Sequence, residues 1–460
     1  MEEGLILKPK DNRPTWRVLA EEMNKLGFIA APMMAVTLSQ FLLQYISIMM
    51  VGHLGELSLS STSIAISLSS VTGFSLLMGM SSALETLCGQ AYGAQQYTKV
   101  GVQTYTAIFS LLIVCVPLAF VWRYTESLLL RMGQSASISY EAGKFITCLI
   151  PALFAYAILQ PLVRYFQMQS MLLPVLASSI AALCLHIPLC WALVYRTGLG
   201  NIGAAVSMGA ALWSNVVFLL LYMKYSPSCA KTRSPISVDV FYGMKQFFSF
   251  AIPSAVMLCL QWWSNEFIIL ISGLLPNPEL ETSVLSICLC YTIWICCWFS
   301  NELGAGNARG ARVAVNAIMI LAVVETTIVA MIVFFNRHVF GYIFTNEKEV
   351  VDRVTKIAPF LCVSIVMDGL QGTFSGVARG VGWQHLGAYT NLGAFYLVGI
   401  PVDIVLGFCT SLKGQGLWIG ILIGAIIQVI SLSVITLCTN YEKQATKARE
   451  RLSEEECASL

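Results

Sequence analysis

Charge is what this 460-residue chain has least of: Asp, Glu, Lys and Arg make up 11% of it, against 57% apolar residues. A soluble domain carries about 25% charged and 45–50% apolar residues. With 27 basic and 25 acidic side chains, no aqueous surface for a chain of this length can be assembled, which excludes a soluble enzyme. The net charge of +2 leaves no cationic face for neutralising phosphates, which excludes a nucleic-acid binder. Histidine is scarce too. The four residues, His53, His186, His338 and His385, are scattered and share no motif with acids, which argues against a membrane-embedded transferase. The 15 cysteines lie mostly inside apolar runs without zinc-like spacing, so they read as small hydrophobes and not as disulfides or metal ligands. No catalytic residue, metal or other cofactor is expected.

What the chain does have is long uncharged apolar runs. At about 20 residues per crossing, they supply about a dozen membrane spans. Bounded by charges, these runs fall near 27–51, 57–84, 104–122, 145–163, 171–195, 201–223, 246–273, 283–299, 313–335, 357–378, 385–411 and 416–439; they are numbered spans 1 to 12. Runs of this length must satisfy their own backbone groups in lipid and are therefore helices, not barrel strands. The fold class expected is an all-α polytopic membrane protein. Ten charges precede the first run, which extends from Gly27 to Val51 and is too long for the core of a cleaved signal, so a retained span is expected there. With the N-terminus inside, the inner segments hold 18 Lys and Arg and the outer loops 9. Both termini should therefore be cytoplasmic.

The two halves repeat. Pro32, Gln40 and Gly52 recur as Pro253, Gln261 and Gly273; Ser63-Ile64 recurs as Ser286-Ile287, Gly93-Ala94 as Gly304-Ala305, and Ile187-Pro188 as Ile400-Pro401. Six helices per repeat give both halves the same orientation, as in other two-lobed carriers. The expected organisation is an N-terminal tail at 1–26, a six-helix lobe at 27–225, a cytoplasmic inter-lobe loop at 226–245, a second lobe at 246–440 and a tail at 441–460. The repeat also exposes a shortfall. Ser63 and Gly93 are 30 residues apart, whereas Ser286 and Gly304 are 18 apart, so span 8 lacks about a dozen residues at its inner end. Its remaining 17 residues, Ser283 to Phe299, reach the lower limit for a crossing.

The stretch ALETLCGQAYGA at 83–94, SGLLPNPELETSVLSICL at 272–289, SNELGAGN at 300–307, SGVARGVGWQ at 375–384 and GAYTNLGAFYLVGIP at 387–401 resemble the multidrug and toxic compound extrusion (MATE) family, and most of all its plant DETOXIFICATION branch. The resemblance covers residues 27–450. It implies a V-shaped pair of six-helix lobes that exports small organic compounds, cations or xenobiotics, by antiport, with protons as the counter-ion. It also implies a monomer in the bilayer of the plasma membrane or the vacuole. After SICL the chain departs from the family's pattern, reading CYTIWICCWF where relatives have a longer run. The alternative reading is therefore a splice or gene-model variant with impaired transport.

An ionised acid at the bilayer centre costs about 2.5–3.5 kcal/mol on insertion scales, which makes any intramembrane acid a functional candidate. Asp368 lies mid-span in VMDGLQG beside Gly369 and Gly372, and it matches by resemblance the span 10 acid used for proton coupling. Glu266, in the QWWSNE run of span 7, matches a second family acid and is the expected partner of Asp368. Gln261 stands where many relatives have another glutamate. Asp403 and Glu325 lack such a match, and Asp403 is placed to reach water or a headgroup. Glu85 reads as a brace that caps or pairs with a nearby base. His186 is expected to bond a backbone carbonyl loosened by Pro188. For substrate, Trp262, Trp263, Phe395 and Tyr396 offer aromatic faces that attract organic cations by about 0.5–2 kcal/mol each. Gln40, Gln44, Tyr45, Gln261 and Asn391 are polar groups able to orient a ligand.

Overall fold

The computed structural model describes residues 16–235, 238–272, 275, 308–340, 348–439, 442–444, 446–448 and 450. No strand occurs among them, and eleven helices are long and apolar enough to cross a membrane. Six lie in the first half, and all but span 2 are unbroken: span 1 is Trp16–Gly52, span 3 Tyr97–Arg123, span 4 Ala136–Met168, span 5 Leu172–Tyr195 and span 6 Asn201–Tyr225. Span 2 is assembled from Glu56–Ser69, a π-helical turn at Ser70–Phe74, Ser75–Ser81 and Ala83–Gly93. In the second half, span 7 is Met244–Ser272, span 9 Ala308–Phe335, span 10 Lys348–Val381 and span 12 Gly414–Leu437. Span 11 runs Gln384–Asn391, a π-helical segment Leu392–Gly399, then Ile400–Phe408. The expected span 8, at 283–299, lies outside the described residues, as do Gly273, Ser286-Ile287 and Gly304-Ala305 of the repeat.

The burial pattern suits lipid. Val116, Phe120, Leu221, Ile332, Ile430 and Leu437 face outward, whereas Ser61, Thr62, Ser69, Thr104, Ser207 and Gln428 are sealed inside. Polar groups in hydrocarbon must find partners within the bundle, and many of these hydroxyls return a bond to the carbonyl three or four residues back, as Thr104 does to Val100. Proline is accommodated in the same setting: Pro32, Pro188 and Pro253 sit inside spans 1, 5 and 7.

A large apolar cluster unites spans 1 to 6 and takes in Phe247, Ala251 and Ala255 from the first half of span 7. A second, including Ile268, Val333, Ile357, Leu361 and Trp418, joins spans 7, 9, 10 and 12 with Phe395 of span 11. Spans 2 and 7 run antiparallel along one seam. At Gly79 the two backbones approach closely: an added Cβ there would stand 2.7 Å from the Ala255 Cα. Small residues let backbones approach this closely in membranes. Ser75 Oγ and Cys259 Sγ lie 3.7 Å apart one turn further along.

At the end of the bundle where span 2 finishes, the seam becomes ionic. Glu85 begins a helical turn of span 2, 1% exposed, and meets Arg164 Nη1 of span 4 at 3.0 Å and Arg379 Nε of span 10 at 2.8 Å. The expected pairing with a base is present, but Glu85 sits within a helix and its two partners come from far along the chain. The segment after span 6 packs against the same end: Thr232 Oγ1 lies 2.6 Å from the Tyr165 hydroxyl and donates to Gln169 Oε1 at 2.8 Å.

Candidate functional site

Beyond Ser75, the seam between spans 2 and 7 changes character because the π turn at Ser70–Phe74 widens span 2 by one residue and frees backbone carbonyls. Such turns often mark functional sites. Trp122 Nε1 donates to Thr72 Oγ1 at 3.0 Å, and Trp263 Nε1 donates to the Val71 carbonyl at 3.1 Å. One turn further along span 7, Glu266 accepts a hydrogen bond from Ser67 Oγ at 3.3 Å. Trp263 and Glu266, three residues apart, therefore share one face of the helix, and both reach the π-turn region of span 2. Trp263 keeps 40% of its surface exposed. An aromatic face and a carboxylate standing together are a natural pair for an organic cation.

Asp368 lies in the middle of span 10, half-buried, with no hydrogen bond or ion pair among the described residues. No hydrogen bond joins it to Glu266, whose contact runs to span 2 instead. Gly369 beside it packs against span 9 so closely that an added Cβ would overlap Thr326 Cγ2. Gln371, one turn on, is fully buried, and neither end of its amide has a partner among the described residues.

Asn391, at the start of the π segment of span 11, is fully buried and committed at both ends of its amide. It donates to the Met257 carbonyl of span 7 at 2.6 Å and accepts from Gln428 Nε2 of span 12. It ties three helices together in this conformation. Tyr396 lies in the π segment, half-buried against the second apolar cluster, with Phe395 wholly inside it. Trp262 and Gln261 are half-buried on span 7, and the Gln261 carbonyl accepts from Ser264 Oγ at 2.7 Å. Gln40 and Gln44 flank the buried stripe of Val36, Leu43 and Ser47 on span 1, and Tyr45 is exposed.

Two expectations are corrected, those for Asp403 and His186. Asp403 does not reach water: it is 1% exposed, and neither carboxylate oxygen has a hydrogen-bond partner among the described residues. It is packed against Gly420 of span 12, where any Cβ would strike Asp403 Oδ1. His186 does not lean on a carbonyl beside Pro188; its Nε2 lies 3.0 Å from Ser47 Oγ of span 1. Glu325 is half-buried in span 9 without a partner among the described residues. Sequence reasoning also missed Ser67, Gln371 and Gln428. Gln428 was within reach, being the single amide in the apolar run GLWIGILIGAIIQVISLS; Ser67 was not, since serine is common in span 2.

Among the described residues, an all-helical bundle with apolar residues on its outside and polar seams within defines the class of polytopic membrane proteins. The MatE family matches residues 32–192 and 253–405, two segments that fall on the two halves of the repeat. Over 455 residues the chain is 54% identical to Protein DETOXIFICATION 12 of Arabidopsis thaliana, covering 95% of each. It is 55% identical over 446 residues to Protein DETOXIFICATION 14 of the same plant, covering 95% of this chain and 92% of that one. The crystal structure of the eukaryotic MATE transporter AtDTX14 superposes with a TM-score of 0.89 at 54% identity, over 94% of this chain and 99% of that one. An outward-facing MATE transporter of the MOP superfamily, 15% identical, shares the fold with a TM-score of 0.76 over 95% of this chain and 97% of that one. The chain belongs to the MATE family of membrane transporters, whose fold is twelve transmembrane helices in two pseudo-symmetric lobes.

Proposed function

We propose that this protein exports small organic molecules, cations or xenobiotics, in exchange for protons, with Asp368 and Glu266 as the proton-binding groups. The observation that carries this reading is the absence of a basic partner. Glu85, more fully buried than either, is neutralised by two arginines. Asp368 has no ion pair or hydrogen bond among the described residues, and Glu266 has only a serine hydroxyl. An acid without a counter-ion in hydrocarbon is costly to ionise, and a proton is the neutralising charge available to it. Loading Asp368 removes a charge in the middle of span 10, beside Gly369 and its close contact with Thr326 of span 9. Loading Glu266 weakens its bond to Ser67 and loosens the outer part of the seam between spans 2 and 7.

In this reading the lobes at 27–225 and 246–440 rock against each other, with 1–26, 226–245 and 441–460 on the cytoplasmic side of a plasma or vacuolar membrane. Trp263 and Glu266 offer the leading substrate contact, with Gln40, Gln44, Tyr45, Gln261, Trp262 and Tyr396 around it and Asn391 as a brace. The relatives are transporters and the reading is that of a carrier, not an enzyme. The comparisons lend no support to the alternative of a transport-impaired variant.

Vesicles reconstituted with the protein and given an imposed pH gradient test the reading against a panel of organic cations. Asp368→Asn is expected to lower gradient-driven transport at least tenfold while binding of the same cation survives. Full gradient-dependent transport by that variant would overturn the assignment.

A further inference from the structure

The inner end of the seam carries more than a structural brace. Glu85 touches one arginine from its own half of the chain, Arg164, and one from the other half, Arg379. Three further bonds cross between the halves at the same place. Thr86 Oγ1 donates to the Arg379 carbonyl, Gln90 Nε2 donates to the Gly380 carbonyl at 2.9 Å, and Gln384 Nε2 donates to Thr86 Oγ1 at 2.7 Å. These residues lie at the end of span 2, at the C-terminal end of span 10 and at the start of span 11, with Arg164 reaching in from span 4. All are buried except the two arginines, Arg164 and Arg379, whose side chains are 13% and 12% exposed. Between this cluster and the Trp263 and Glu266 site stands the close Gly79–Ala255 contact of spans 2 and 7.

We infer that this cluster is the inner gate of the carrier: Glu85 with Arg379 forms a latch, and Thr86, Gln90 and Gln384 form its collar. The chemistry suits a contact that must break in every cycle. Breaking a buried ion pair leaves one charge uncompensated, yet here Glu85 keeps Arg164, which lies on its own side of the gate. The group released is Arg379, the partner contributed by the other half of the chain, and water entering an opened inner mouth solvates it. The remaining crossings are neutral bonds, two to carbonyls and one to a hydroxyl, each worth little net in exchange for water. The latch is thus strong enough to seal one face and cheap enough to open, and it positions the lobes without touching substrate.

The inference rests on the antiport reading, and the test separates the two. Thr86→Cys with Gln384→Cys, in a chain otherwise free of cysteine, places two thiols across the gate. A short bis-thiosulfonate reagent is expected to cross-link the pair and lower cation transport in vesicles at least tenfold, with recovery on reduction, while each single variant is unaffected by the reagent. In a second arm, Glu85→Gln is expected to raise at least fivefold the rate at which an impermeant thiol reagent on the cytoplasmic side modifies Thr86→Cys. Glu85→Asp should restore the slow rate. Unchanged transport by a fully cross-linked pair, or equal labelling rates in the presence and absence of Glu85, would overturn the gate. Transport by the parent chain that ignores the pH gradient would overturn proton coupling and leave the gate to the labelling arm.

Discussion

Two carboxylates show how environment and not residue type sets a role. Glu85 and Asp403 are both 1% exposed, but Glu85 has two guanidinium partners and Asp403 has none among the described residues. Removing one member of a buried ion pair strands the others, so Glu85→Gln is expected to lower the stability of the closed state by about 3 kcal/mol. By the reasoning applied to Asp368, Asp403 without a basic partner among the described residues is held neutral, so Asp403→Asn exchanges one neutral group for another and should unfold in detergent at a temperature no lower than the parent's, with gradient-driven transport within about twofold. Thermal unfolding of the purified proteins measures both, and a marked drop for Asp403→Asn would reveal a partner. The apolar context of Asp368 and Glu266 was legible in the sequence, since an acid inside an uncharged run is conspicuous. Their separate surroundings were not, because Ser67 reaches Glu266 from 199 residues away.

At the scale of the helices, span ends were the weakest part of the sequence reading. Spans 3 and 4 were bounded at 104–122 and 145–163, yet the helices run Tyr97–Arg123 and Ala136–Met168. Lys99, Glu141, Lys144 and Arg164 end an apolar run but not a helix, because a charged side chain leaves the backbone ladder intact and can snorkel or pair. The π segments in spans 2 and 11 left no clear trace in the apolar pattern either. Packing between helices is open to direct test at Gly369. Gly369→Ala places a methyl on Thr326 Cγ2 and is expected to cost about 1–3 kcal/mol as overpacking. Adding Thr326→Ser removes the offending methyl and should recover most of the loss. A double-mutant cycle on thermal stability checks this, and purely additive effects would count against direct contact between spans 9 and 10 at this point.

For the molecule as a whole, the charge bias predicts that a cysteine-reactive tag on the C-terminus is labelled by an impermeant reagent only from the cytoplasmic face. Labelling from the outer face would invert the spans downstream of 283–299. The apolar runs, the internal repeat and the five family stretches together determined that this chain is a many-span helical carrier of two related halves, because lipid imposes its demand on each segment separately and that demand is written locally. Only the tertiary structure decided which polar groups meet. The pairing of Glu85 with Arg164 and Arg379, the bond from Ser67 to Glu266 and the knot of Asn391 with Gln428 each join residues distant in sequence, and their partners depend on how helices pack, which no periodicity within a single helix encodes.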